Sequence, residues 1–172
     1  MRQAVTKQRH NKSPTMNRIT GSIGIVDTTF ARVDMGTMAE NTIRREAPKV
    51  RIVRYTVPGI KDLPVAAKKL IEEHHCDIVL ALGHVGGAAI DSKCAHEASM
   101  GIIQAQLMTN HHILGVMVFE AEASTPKQLS ATMKDRTVKH ARNAIAMLQG
   151  KDALRERAGT GRRQGAPDAG PI

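Results

Sequence analysis

Three short stretches carry the side chains best suited to chemistry. Thr56-Val57-Pro58-Gly59-Ile60-Lys61-Asp62-Leu63-Pro64 packs two prolines, a glycine, a lysine and a carboxylate into one short stretch. Pro58 fixes one backbone dihedral and Gly59 frees another, so main-chain N–H and C=O groups there can meet a ligand. Lys61 can neutralise an anionic intermediate, although an exposed lysine is the simpler account. Asp62 is a hydrogen-bond acceptor, and equally an acid favoured at the start of the helix that Pro64 opens. Cys94-Ala95-His96-Glu97 offers His96 for proton transfer, with Glu97 to orient it or act beside it. The plainer reading is a solvated pair at a helix N-terminus. One cysteine and one histidine do not make a zinc site, so Cys94 reads as a small packed thiol. The third stretch holds Phe30. Phe30, Tyr55 and Phe119 are the whole aromatic set. An aromatic just after an apolar run is therefore a candidate stacking surface, with a core phenylalanine as the alternative.

The elements that must position these residues follow from apolar patterning. Residues 22–26 form a short apolar run and predict a buried strand. Asp34 predicts the N-cap of a helix reaching Ala47, with Met35, Met38, Ala39, Thr42 and Ile43 on one face and Pro48 ending it. A second strand is expected over Val50–Tyr55, and a helix from Pro64 to about His75. Asp77–Leu82 is continuously apolar and predicts a strand covered on both faces. A glycine-rich turn, Gly83–Ala89, follows it. A helix is expected from about Cys94 to Asn110, carrying Ala98, Ile102, Ala105 and Met108 inward. His111 and His112 beyond it suit the negative end of its dipole. Ile113–Phe119 predicts a fourth buried strand, and Pro126 to about Leu148 a last helix. The order is α/β: one three-layer domain with a four-stranded parallel sheet flanked by helices. Such sheets bind ligands beyond the carboxyl ends of their strands, where all the loops of interest fall.

The chain has 172 residues and a net charge of +9. Its distribution argues against nucleic acid as a partner. Residues 1–21 carry +5 with no acid, while residues 22–149 carry only +2 and the tail 151–172 another +2. Charge at the ends reads as solvated extensions, and stacking aromatics are missing. Residues 1–20 are accordingly read as a disordered basic extension, with Met16 a plausible true start. Residues 21–150 are read as the catalytic domain and 151–172 as a loop or flexible tail. Two cysteines without CxxC spacing fit a reducing cytoplasm. Residues 1–21 lack the apolar stretch of a secretory signal, and no apolar run is long enough to predict a membrane span.

These stretches resemble the archaeal-type riboflavin synthases, a lumazine-synthase-like and flavodoxin-like family. The residues that carry the resemblance are Gly24–Met35, Thr56–Pro64, Cys94–Ser99, Gln106–Asn110, Arg163–Gly165 and Asp168–Pro171, in that order along the chain. The resemblance implies a dismutation of two 6,7-dimethyl-8-ribityllumazine molecules. One gives a four-carbon unit to the other, yielding riboflavin and 5-amino-6-(D-ribitylamino)uracil. It implies no organic cofactor, assistance by Mg2+ or Mn2+, and a homopentamer with active sites between subunits. It further implies substrate contacts at Thr29, Phe30, Val57, Pro58, Gly59, Ile60, Lys61, Asp62, Gly83, His84, Thr109 and Asn110. Asp62 would accept ribityl hydroxyls, and His96 and Glu97 would be catalytic. Glu120 and Glu122 resemble an acidic loop that would hold the metal, against simple solvent exposure. Two departures stand out. Leu82-Gly83-His84-Val85-Gly86-Gly87 replaces the usual Leu-Gly-Met-Pro-Gly-Lys, losing a lysine and gaining His84. Phe119-Glu120-Ala121-Glu122-Ala123 replaces His-Glu-Asp-Glu-Ala.

Two rival functions remain at this stage. A lumazine synthase, condensing the ribitylaminopyrimidine with a four-carbon phosphate, needs a phosphate pocket. The Gly83–Ala89 turn has the glycines for one, but Ala88, Ala89 and Ile90 bring no cation or hydroxyl. A non-catalytic flavin- or lumazine-binding protein would dispense with His96, which is present.

Overall fold

A computed structural model describes residues 19–172. The first eighteen residues, where most of the basic extension and Met16 were read, lie outside the described residues. Ile19 does not belong to a disordered extension: it is buried against the core.

Four parallel strands order as β2-β1-β3-β4, from β1 (Ser22–Thr28), β2 (Arg51–Val57), β3 (Ile78–Val85) and β4 (His112–Phe119). The helices are α1 (Met35–Glu46), α2 (Leu63–Glu72), α3 (Ala89–Thr109) and α4 (Pro126–Met147). α1 and α4 cover one face of the sheet over Ile23, Ile25, Leu80, Leu82, Val116 and Val118. α2 and α3 cover the other over Val26, Val79, Ala81 and Ile113. The alternation of Ile25 and Val26 between the two cores is the strand period at work. Central β1 and β3 are buried along their whole length, as continuous apolar strands of parallel sheets are. Gly24 lets α2 lie close to β1, because a Cβ there would come within 2.9 Å of Leu70 Cδ1 and Val79 Cγ2.

Several boundaries differ from those expected, those of the strands for one reason. The patterning stops at the first glycine or polar residue, whereas the ladder continues while a partner strand is present. β2 runs on through Val57, and β3 runs on through Gly83, His84 and Val85, paired with Met117, Val118 and Phe119. The expected turn at Gly83 is therefore strand, and only Gly86–Ala88 turns. α3 begins at Ala89, five residues before Cys94, so His96 and Glu97 lie within the helix and not at its N-terminus. α2 ends at Glu72, and His112 opens β4. Met108 points outward, since the inner face of α3 is Ala95, Ala98, Ile102 and Ala105. β4 is an edge strand with alternating burial and not a fully buried one.

Asp34 caps α1 as expected, its Oδ1 accepting the Thr37 N–H at 2.9 Å. That bond lowers its pKa below the usual carboxylate value, assisted by Arg54. Asp34→Ala is expected to cost about 1 kcal/mol by urea unfolding. A lowered folded pKa means the contribution is present above the unfolded value of 3.8 and fades as pH falls through the folded one. Wild type and variant should therefore converge in stability only in strong acid.

Candidate functional site

The carboxyl ends of the strands gather the expected loops. Thr28 is the last residue of β1, and the next two turn the chain outward. The Thr29 N–H donates to Val57 O at 2.9 Å and its hydroxyl donates to Pro58 O at 3.2 Å. These two bonds tie the Phe30 loop to the Val57–Asp62 turn. A 3-10 turn over Ile60–Asp62 then hands the chain to α2, with Pro64 in the first helical turn. α2 and α3 meet closely at Gly101, where a Cβ would lie 2.8 Å from Pro64 Cγ.

Between these loops lies a cleft of about 400 Å³ lined by Phe30, Pro58–Asp62, His84, Val85, Gly86, Asp91 and Cys94. Phe30 is 53% exposed, so it is a rim aromatic and not a core one. Its ring stands tilted over the His84 imidazole, centroids 5.5 Å apart, with Gly86 beneath its edge. Asp62 precedes α2 but its side chain caps nothing. Its carboxylate is thus left exposed at the cleft, available to ligand hydroxyls. The Lys61 ammonium pairs across the rim with Glu97 at 2.7 Å. The pair raises the lysine's pKa and lowers the glutamate's.

His84 is buried, with 1% of its surface exposed. Its Nδ1 faces the Arg32 N–H at 3.4 Å, and its Nε2 faces Glu120 Oε1 at 3.5 Å. Burial pushes its pKa down, with Arg32 adding to that and Glu120 opposing it. Glu120 Oε1 also pairs with Arg32 at 3.3 Å.

The structure separates other expected members. Val57 is buried at the end of β2 in the α2–α3 core, and Gly83 lies in β3 against Met117 and Ile60. His96 is exposed on α3 and does not line the cleft of its own chain. Thr109 and Asn110 end α3, about 22 Å along the helix from Cys94. Asn110 borders a second hollow formed with Ile103, Leu107 and the following histidines, while the Thr109 hydroxyl donates to Ala105 O at 2.8 Å. Asp91 was not foreseen as a lining residue. Its position three residues after Ala88 was the available signal, since it accepts the Ala88 N–H at 3.0 Å and occupies the start of α3.

Glu120 and Glu122 do not form a ready cation site. Glu122 is held by Arg136 and by the Phe119 N–H at 2.9 Å, which lower its pKa, while Glu120 turns to Arg32 and His84. Hard divalent cations take six or more oxygens, and among the described residues no three His, Cys, Asp or Glu side chains converge. These residues do not fit the metal that the resemblance assigned to them, and no step is derived through one.

The parallel α/β sheet thus carries an aromatic-rimmed cleft at its carboxyl edge. Residues 20–152 match the family described as 6,7-dimethyl-8-ribityllumazine synthase, and the chain belongs to that family. It is 54% identical over 150 residues to the riboflavin synthase of Methanothermobacter thermautotrophicus, covering 87% of this chain and 98% of that one. It is 49% identical over 150 residues to the riboflavin synthase of Archaeoglobus fulgidus, covering 87% and 97%. A 6,7-dimethyl-8-ribityllumazine synthase of Thermococcus onnurineus is 39% identical over 75 residues, covering 42% of this chain and 49% of that one.

Proposed function

We propose that the protein is a riboflavin synthase, a transferase that moves a four-carbon unit between two molecules of 6,7-dimethyl-8-ribityllumazine. The observation that carries this reading is the cleft itself: an exposed Phe30 ring faces the Pro58–Asp62 turn and an uncommitted Asp62 carboxylate. A flat bicyclic ring suits the aromatic face and a ribityl chain suits the carboxylate. Near-full-length relatives named riboflavin synthase support the same reading.

The lumazine synthase alternative meets an electrostatic obstacle. The turn before α3 is where a phosphate would find free N–H groups. There Asp91 already accepts the Ala88 N–H, and a Cβ on Gly86 would lie 2.5 Å from Asp91 Oδ2. A resident carboxylate repels a phosphate dianion.

One test separates the two. Purified protein incubated with 6,7-dimethyl-8-ribityllumazine alone is expected to release riboflavin and ribitylaminouracil in equal amounts, by chromatography. Ribitylaminouracil plus a four-carbon phosphate is expected to give no lumazine. Absence of riboflavin, with or without Mg2+ or Mn2+, would sink the reading.

A ring of five suits the same site. The reaction needs two substrate molecules, and a cleft of about 400 Å³ is near the lower end of small-molecule sites. Met100, Ile103, Leu107 and Met108 leave an apolar stripe exposed on α3, Leu107 at 78%. A ring of five with α3 against its neighbour would cover that stripe. It would also bring His96, Thr109 and Asn110 of one subunit within reach of another's cleft, with His96 carrying proton transfer beside Glu97. We place the enzyme in the cytoplasm, a location supported by two free cysteines. Among the described residues no helix is long and apolar enough to cross a membrane.

A further inference from the structure

Arg163, Gln164 and Asp168 take no part in the cleft beside Phe30. They line a second cavity, of about 550 Å³, between the C-terminal half of α4 and the segment that follows it. That segment closes into a ring. The Ala169 N–H donates to Gly161 O at 2.8 Å, and the Arg163 N–H donates to Asp168 Oδ1 at 2.9 Å. Gly161 sits at φ +63°, and a Cβ there would run into the Gly170 backbone, so glycine is what lets the ring close.

The cavity is lined by Lys139, Arg142, Arg157, Arg162 and Arg163, against a single acid, Asp168. Two of these cations are already paired, Arg142 with Glu46 at 2.9 Å and Lys139 with Asp135 at 3.0 Å. Arg157, Arg162 and Arg163 form no ion pair among the described residues, and the Arg157 guanidinium donates to the neutral Asn143 amide oxygen at 3.2 Å. Three unpaired guanidiniums and one carboxylate leave an excess of two positive charges. A phosphate monoester carries nearly two negative charges at neutral pH, and the guanidinium fork matches its oxygens. A monocarboxylate would neutralise only half of the excess. Leu154 and Ala158 add an apolar wall, and Asn143 and Gln164 add amide donors and acceptors. The volume falls within the range of small-molecule sites.

We propose that this cavity binds the phosphate monoester of a small organic molecule of nucleotide size. Its phosphate lies on Arg157, Arg162 and Arg163, and its organic part against Leu154, Ala158 and the two amides. The cavity shares no lining residue with the Phe30 cleft, and the proposal does not rest on the riboflavin synthase reading.

Calorimetric titration of the full chain with inorganic phosphate, ribose 5-phosphate, adenosine 5′-monophosphate and riboflavin 5′-phosphate tests this. At least one ester is expected to bind about tenfold more tightly than inorganic phosphate, through its organic part. Arg162→Met combined with Arg163→Met should weaken that ester at least about tenfold, the worth of one hydrogen bond to a charged group. Lys127→Met combined with Lys134→Met removes equal charge from exposed positions of α4 outside the cavity and should leave its affinity unchanged. Gly161→Ala removes no charge, yet should weaken the ester by opening the ring. Melting temperatures show that each variant is folded. Phe30→Ala should still bind the ester, and the arginine variant should still form riboflavin at the wild-type rate. The proposal is overturned if no ester outbinds inorganic phosphate, or if the lysine and arginine variants lose affinity equally. Ester binding that disappears in Phe30→Ala would place the ligand in the cleft and overturn it as well. Loss of riboflavin formation with ester binding intact would assign the arginines to the substrate site instead.

Discussion

Phe30→Ala is expected to lower kcat/KM for dimethyl-ribityllumazine by about ten- to hundredfold, the value of one aromatic–heterocycle stack of about 1–3 kcal/mol. The ring is half exposed, so its removal should leave the melting temperature nearly unchanged. That contrast distinguishes a binding surface from a core residue. Phe30→Tyr should keep most activity, because the stacking face is retained. Tyr55 is also exposed, but on β2 and away from the cleft-lining residues. Tyr55→Ala should therefore stay within about threefold of wild type, well inside one such stack. A Phe30→Ala enzyme with unchanged kcat/KM would place the heterocycle elsewhere.

The largest stability effect is expected at Arg54. This residue projects from edge strand β2 and gathers three elements. Its guanidinium pairs with Asp27 at the end of β1, with Asp34 at the cap of α1 at 2.9 Å, and with the Thr37 hydroxyl at 3.0 Å. Asp27 is buried, and its other oxygen accepts the Thr56 hydroxyl at 2.7 Å. The pairing with Asp27, ahead of that with Asp34, raises the arginine's pKa. Arg54→Met would leave the Asp27 carboxylate buried with only a hydroxyl partner. Breaking such a pair from one side costs about 3 kcal/mol, somewhat less here because Arg54 is partly exposed. Urea unfolding at fixed protein concentration should show that loss, and Asp27→Asn combined with Arg54→Met should recover more than half of it. Because Asp27 and Thr56 flank the loops that carry Phe30 and the Pro58–Asp62 turn, the single variant should also bind substrate more weakly. A loss below about 0.5 kcal/mol would mean that the pair is solvated and acts as an ordinary surface bridge.

The site was only partly legible in the sequence, and the pattern of what was missed has a physical basis. Phe30, Pro58, Gly59, Lys61 and Asp62 could be named because each is a local device: a rare aromatic in a loop, or turn residues before a helix. Their convergence follows from the parallel topology, which sends every strand's carboxyl end to one edge. Asp91 was not named, because its role depends on α3 beginning at Ala89 and no capping side chain marks that start, the residue before it being Ala88. Glu120 and Glu122 looked like a pair from their spacing. A 3-10 turn separates them, one toward His84 and Arg32, the other toward Arg136. Two charges spaced i, i+2 do not share a face in such a turn, so spacing misled.

The tail, read as a loop or flexible segment, has contacts that the sequence did not show. It forms a 3-10 turn at Arg155–Arg157 and then folds back on α4. Arg136 donates to Gln164 O at 3.3 Å, and the Gly165 N–H donates to Asp135 at 2.8 Å. The Ala169 N–H closes the loop on Gly161 O. Composition rich in glycine and arginine gave no hint of those bonds, because the two that reach α4 join positions far apart in sequence.

By itself the sequence determined the α/β order, the two buried central strands, the N-cap at Asp34, and the turn that faces the cleft. These are short-range matters of periodicity, capping and dihedral preference. Only the tertiary structure decided where the ladder stops, and hence that His84 is a buried strand residue beneath Phe30 and not part of a glycine-rich turn. It also decided that Glu97 serves Lys61 while Glu120 faces His84. Hydrogen-bond partners and burial depend on residues tens of positions away, and a one-dimensional pattern carries no information about which of several carboxylates will arrive.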